Sequence, residues 1–134
     1  MIKIIAALLT IFAFSTSHAK KVNVGIILGF TGPIESLTPD MAAGAELAFS
    51  EASNSGKLLN GSNINVIRAD STCIDSAAAT SAAEGLVSQG VTAIMGADCS
   101  GVTGAILSNV AVPNGVPMIS PSATSPGLTT AEDN

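Results

Sequence analysis

The side chains able to do chemistry in this sequence are few, and most of them are hydroxyls. Ser100 lies in the run Gly96-Ala97-Asp98-Cys99-Ser100-Gly101, and Ser120, Ser122, Thr124 and Ser125 crowd a second run. A hydroxyl is a neutral donor and acceptor. Beside the free N–H groups of a helix start it suits an anion such as a carboxylate. Ser100 is placed for that role, or equally to cap a helix, and the second run is either part of the same site or an ordinary polar loop. Asp98 could take a proton or an ammonium, or lend electrostatic support to the adjacent helix. Asp70, ending a strand-like run, is ambiguous in the same way.

Other chemistries are missing. There is one histidine, His18, and no Trp or Tyr. Residues 1–19 read as a secretory signal: Lys3, an apolar stretch from Ile4 to Phe14, then Ser17 and Ala19 at the places a signal peptidase reads. The stretch is too short for a stable membrane span, and no lipobox cysteine follows it. Cleavage before Lys20 would remove His18, excluding His-based catalysis and His-ligated metal from the remainder. Lys20, Lys21, Lys57 and Arg68 then face ten acidic side chains, which argues against nucleic acid as a partner.

No GxGxxG, phosphate loop, GxSxG elbow or HExxH occurs. Gly29, Gly32, Gly96, Gly101 and Gly104 fit none of those spacings and read as points of close backbone approach. Asn60-Gly61-Ser62 matches a glycosylation sequon and also a tight turn before a strand. Cys73 and Cys99 are an even pair in an exported chain, most simply one disulfide. Closing that loop would stabilise the fold by about 3 to 4 kcal/mol. Their spacing suits neither CxxC redox chemistry nor a zinc knuckle.

The elements that must position these groups alternate. Residues Val22–Leu28, Asn65–Ala69, Thr92–Met95 and Val116–Ile119 are short runs rich in branched residues, as strands buried on both faces should be. Between them lie helical stretches. Thr38 offers an N-cap, Pro39 a first helical position and Gly56 a stop, with Met41, Ala45, Ala48, Phe49 and Ala52 as the inward stripe. A second helix follows Asp75 and runs to Gln89, with Ala79, Ala82, Ala83, Leu86 and Val87 inward and Gly90 after it. A third runs from Ser100 to about Val110, with Val102, Ile106, Leu107 and Val110 facing the sheet. The rhythm predicts an α/β fold: a doubly wound parallel sheet in three α/β/α layers. Four strands are visible where a complete domain of this kind has five or six, so the chain is expected to stop mid-domain. In such sheets ligands bind beyond the carboxyl ends of the strands, which predicts one rim built from residues 29–39, 96–104 and 120–126.

Taken in order, these residues resemble a known family, the periplasmic branched-chain amino acid binding proteins of ABC transporters, with the type I periplasmic binding protein fold. The resemblance rests on a first strand leading into Gly32-Pro33, the run Gly44-Ala45-Glu46-Leu47-Ala48, and Asp70-Ser71-Thr72-Cys73. It continues through Gly96-Ala97-Asp98-Cys99-Ser100 and Ser120-Pro121-Ser122-Ala123-Thr124-Ser125-Pro126. It implies that residues 20–134 are the N-terminal portion of the first of two lobes. It implies that Ser100 holds a ligand carboxylate, that Thr124 bonds carboxylate and ammonium, and that the carbonyl of Ser122 takes the ammonium, with Ala123 in the same turn. It also implies a Cys73–Cys99 bridge bracing the loop. Where family members can set an aromatic ring over the ligand, this chain has Leu37.

The function so implied is periplasmic capture of leucine-like or other aliphatic amino acids, hinge closure, and delivery to ABC permease subunits in the inner membrane. The whole protein would be a monomer, with a second lobe supplying an acid for the ammonium. It would need no cofactor or metal and would not be an enzyme. A sensor lobe for an amide, urea or another small solute is the alternative.

Overall fold

The computed structural model describes residues 20–58 and 61–132. The signal-like segment, with His18, and Asn60 of the sequon lie outside the described residues. Gly61, at φ +74°, turns the chain toward the second strand.

The first strand, β1 (Lys21–Leu28), is the centre of the molecule. Its pleat sends alternate side chains to opposite faces. Ile26 and Leu28 pack on one face with Ala42, Met41, Ala45 and Phe49 of helix α1 (Thr38–Asn54). Ile27 packs on the other, against helix α2 (Ser76–Ser88) and helix α3 (Ser100–Ile106). Ile26, Ile27 and Leu28 are wholly buried, each contributing roughly 1.5–3 kcal/mol relative to exposure. A strand covered on both sides by helices is the three-layer arrangement expected.

The chain leaves β1 through α1 to β2 (Asn63–Asp70), which pairs with it in parallel from Lys21↔Asn63 to Leu28↔Asp70. It then passes through α2 to β3 (Ala93–Gly96), which pairs on the other side of β1 from Val24↔Ala93 to Ile27↔Gly96. Beyond α3 it enters β4 (Met118–Ile119), parallel to β3. The sheet order is therefore β2-β1-β3-β4. The order reverses at β1, so the carboxyl ends of β1 and β3 flank the switch point where ligands of open α/β sheets lie.

The start of α2 is as expected from sequence, while that of α1 is not. Asp75 caps α2, its side chain accepting the N–H groups of Ala77 and Ala78 at 2.9 and 3.0 Å. Thr38 does not cap α1; it is already helical and fully buried, its hydroxyl donating to the carbonyls of Gly29 and Glu35. On α1 the buried alanine is Ala42, while Ala48 is exposed. The third helix runs past Val110, through a wide π turn at Leu107–Ala111 and a last helical turn, α4 (Val112–Asn114). Pro113 lacks an N–H and its ring crowds a regular helix, and a π turn just before it relieves that crowding. Gly115, at φ +62°, ends the run.

Two close approaches explain glycines. A Cβ on Gly96 would sit 2.0 Å from the Ile27 carbonyl oxygen, so β3 can end against β1 only as glycine. A Cβ on Gly25 would meet Leu86 Cδ1 at 2.7 Å, so Gly25 makes the room that Leu86 of α2 fills. Among the described residues no helix is long and apolar enough to cross a membrane.

Candidate ligand-binding rim

Parallel pairing brings the ends of β1, β2, β3 and β4 to one edge, and the predicted hydroxyls gather there. Ser100 is the first residue of α3, and Cys99 stands at the capping position with no side-chain cap bond. The Ser100 hydroxyl is therefore not spent on its own helix. Its oxygen accepts the N–H of Thr124 at 3.0 Å and that of Ser125 at 3.1 Å. The loop after β4 is thus pinned to the start of α3.

That loop is organised by its own serines. Ser120 donates its hydroxyl to the Ala97 carbonyl and accepts the N–H of Ala123 at 2.8 Å and of Ser122 at 3.3 Å. Ser122 donates its hydroxyl to the Asp98 carbonyl at 2.8 Å. Ser122 and Thr124 are exposed, and Ser100 and Ala123 half-buried. Leu37 lies on the separate β1–α1 loop, 60% exposed. The structure thus joins Ser100, Ser122, Ala123 and Thr124 in one hydrogen-bonded unit, while Leu37, directly before α1, is not part of it.

Two carboxylates lie at or just past strand ends on this edge. Asp98 is 3% exposed. It accepts the Gly29 N–H at 2.8 Å, the Cys99 N–H at 3.0 Å and the Ser71 hydroxyl at 3.4 Å. Asp70 accepts the Thr31 hydroxyl at 2.6 Å and the Thr72 N–H at 2.8 Å. Burial pushes the Asp70 pKa up, but the hydroxyl of Thr31 and the N–H groups of Thr72, Thr31 and Phe30 bring it, on balance, below the ordinary value. Cys73 and Cys99 form a disulfide, with Cα atoms 5.2 Å apart. Beside it Thr72 and Cys73 adopt φ of +58° and +69°, unusual for residues other than glycine. The Asp70 bond to Thr72, and the Asp75 N–H that Thr72 Oγ1 accepts at 3.1 Å, help hold that segment.

Thr31, within the predicted rim segment 29–39, and Ser71, in the Asp70-Ser71-Thr72-Cys73 run, had no role assigned from sequence. Both sit at strand ends that become neighbours only once the β2-β1-β3 order is known, and strand order was the missing signal.

At the rim the Ser120 and Ser122 hydroxyls are already given to the Ala97 and Asp98 carbonyls, which leaves the hydroxyl protons of Ser100 and Thr124 without a protein acceptor among the described residues. Among the described residues no group of His, Cys, Asp and Glu is placed to hold a metal ion. A hollow of about 420 Å³ lies elsewhere, lined by Leu107, Ala111, Val112, Val116 and Met118 among others. It sits where the chain enters β4, not beyond the carboxyl ends of the strands, where ligands of such sheets bind.

The model of a family described as periplasmic binding protein matches residues 21–133. The Leu/Ile/Val-binding protein BraC3 of Rhizobium johnstonii is 32% identical over 124 residues, covering 92% of this chain and 33% of that protein. Among solved structures, the branched-chain amino acid transporter substrate binding protein LivJ of Streptococcus pneumoniae, in complex with isoleucine, is 36% identical. That match covers 83% of this chain and 31% of that one, with a TM-score of 0.74. An ABC transporter substrate-binding protein of Desulfitobacterium hafniense, in complex with Leu, is 26% identical over 83% of this chain and 31% of that one, with a TM-score of 0.69. The chain spans roughly a third of the length of these relatives. On its fold and on this match, the chain belongs to the periplasmic binding protein family, a family of binding proteins rather than enzymes.

Proposed function

We propose that the chain supplies one wall of the binding cleft of an ABC transporter's periplasmic solute-binding protein, and that its ligand is a branched-chain or related aliphatic amino acid. The observation that carries this reading is the state of the Ser100 hydroxyl. A serine oxygen has two lone pairs and one proton. Thr124 and Ser125 N–H groups occupy the lone pairs, which leaves the proton to donate to an acceptor beyond the rim, as a ligand carboxylate would be. The exposed Thr124 hydroxyl adds a second neutral donor, and the Ser122 carbonyl in the same turn accepts the ammonium.

Leu37 and Ala123 supply apolar surface for an aliphatic side chain. A leucine gives dispersion contact but no aromatic face, so selection among aliphatic side chains rests on shape. Relatives solved with isoleucine and with Leu support the ligand class. Hydrogen bonds to charged groups contribute about 1.5 to 3 kcal/mol each, so a few of them give useful affinity to a small zwitterion. Export to the periplasm, a second lobe that closes the cleft, a monomeric state and delivery to permease subunits in the inner membrane complete the reading.

Calorimetry of the whole protein against leucine, isoleucine, valine, an aliphatic amide and urea tests it. Tight binding of the aliphatic amino acids is the expected result. Binding of the amide or urea alone would replace this reading with a sensor or another solute.

A further inference from the structure

The Asp98 carboxylate does more than fill its site. Three strand ends meet on it: Gly29 after β1, Ser71 after β2, and its own neighbour Cys99 after β3. Each gives a neutral donor, and the two backbone N–H bonds, at 2.8 and 3.0 Å, are charge-assisted and short. The peptide joining Asp98 to Cys99 is then held at both ends. Its N–H is gripped by the Asp98 carboxylate, and its carbonyl accepts the Ser122 hydroxyl at 2.8 Å. A planar peptide directs its N–H and C=O in opposite directions, so turning the N–H inward aims the carbonyl outward at the 120–125 loop. The next residue but one is Ser100, whose oxygen receives that loop's Thr124 and Ser125 N–H groups.

We propose that Asp98 is a positioning residue for the ligand site: gripping the 98–99 peptide, it sets the orientation of Ser100 and the seat of Ser122, and so the alignment of donors and acceptor that the zwitterion meets. It touches no ligand. The inference rests on the reading that Ser100 and Ser122 hold the ligand head group, but its geometric part can be tested without any ligand.

The test uses Asp98→Asn in the whole protein. The amide keeps the shape but brings an N–H₂ toward groups that are themselves donors. Hydrogen exchange without ligand is read at the Thr124 and Ser125 amides, which Asp98 does not contact, with Ile26 and Ile27 of β1 as the measure of global stability. Leucine affinity is read by calorimetry in the native and Ser100→Ala backgrounds. Positioning predicts faster exchange at Thr124 and Ser125 with β1 unchanged. It also predicts a loss of affinity of about tenfold in the native background and a smaller loss when Ser100 is already alanine, where only the seat of Ser122 is left to disturb, the non-additivity of residues acting as a unit. Ser71→Ala, which removes only the 3.4 Å bond, should shift the same exchange readout in the same direction by less, and it serves if Asp98→Asn fails to fold. Unchanged exchange at Thr124 and Ser125, or an equal loss of affinity in both backgrounds, overturns the proposal. Failure of the native protein to bind leucine would sink the proposed function, while the exchange readout would still decide the role of Asp98.

Discussion

The Ser100 oxygen stands 3.0 Å from the Thr124 nitrogen and 3.1 Å from that of Ser125, so the start of α3 and the loop after β4 are one unit held by a single hydroxyl. Ser100→Ala removes that acceptor and, with it, the hydroxyl proposed to donate to the ligand carboxylate. The two orphaned N–H groups belong to exposed residues, where water replaces the lost partner, so stability should fall by no more than about 1 kcal/mol. Ligand affinity should fall tenfold or more, about the worth of one bond to a charged group. Denaturant melts alongside calorimetry separate the two, and a loss of stability without a loss of affinity would make Ser100 a purely structural serine.

Much of this architecture was readable from residue order. Strand and helix starts follow from local chemistry: Asp75 is a good cap because its short carboxylate reaches the next N–H groups, and Gly90 at φ +74° follows α2 as its stop. Thr38 misled because a threonine before Pro39 matches the capping pattern, yet tertiary contact with Gly29 captures its hydroxyl. The π turn before Pro113 could not be read because a proline announces a disturbance without saying how it is absorbed. Ser100 and Thr124 were legible as chemistry and as members of one rim, but not as a hydrogen-bonded pair, since the bonds from the Thr124 and Ser125 N–H groups to the Ser100 oxygen depend on how the loop after β4 folds back. The double role of Ser120 and the convergence on Asp98 are products of the same topology.

The contact between Gly25 and Leu86 predicts a compensating pair. Gly25→Ala alone pushes a methyl within 2.7 Å of Leu86 Cδ1, an overpacking that costs about 1–3 kcal/mol. Leu86→Ala alone leaves a cavity costing about 2–5 kcal/mol. Together the new methyl enters space the leucine vacated, so the double variant should be less destabilised than the sum of the singles. Chemical denaturation of the four proteins measures this, and simple additivity would show that the contact does not limit packing.

Cys73 and Cys99 join loops 26 residues apart in sequence. Replacing both with serine should cost about 3.5 kcal/mol if the bridge acts mainly on the unfolded chain. Affinity should fall as well, because the bridge braces the residue before Ser100 against the segment where Thr72 and Cys73 hold positive φ. Melts and leucine titrations with and without reductant read both effects, and a stable, fully binding reduced protein would show that the hydrogen bonds on Asp98 suffice to hold the loop.

The last prediction concerns acid. Asp70 is drawn upward by burial but more strongly downward by the Thr31 hydroxyl and the N–H groups of Thr72, Thr31 and Phe30, so its folded pKa lies below the usual 3.8. A depressed carboxylate contributes stability that is complete above the unfolded value and is lost as pH falls through the folded one. Asp70→Asn should therefore be less stable than the native protein at pH 7. The gap should narrow as pH drops below 3.8, because the unfolded chain then binds a proton that the folded state resists. Urea midpoints of the two proteins at pH 7, 5, 4 and 3 give the difference directly. A gap that stays constant down to pH 3 would mean that the latch between Thr31 and Asp70 stabilises the fold through shape alone, without drawing on the charge.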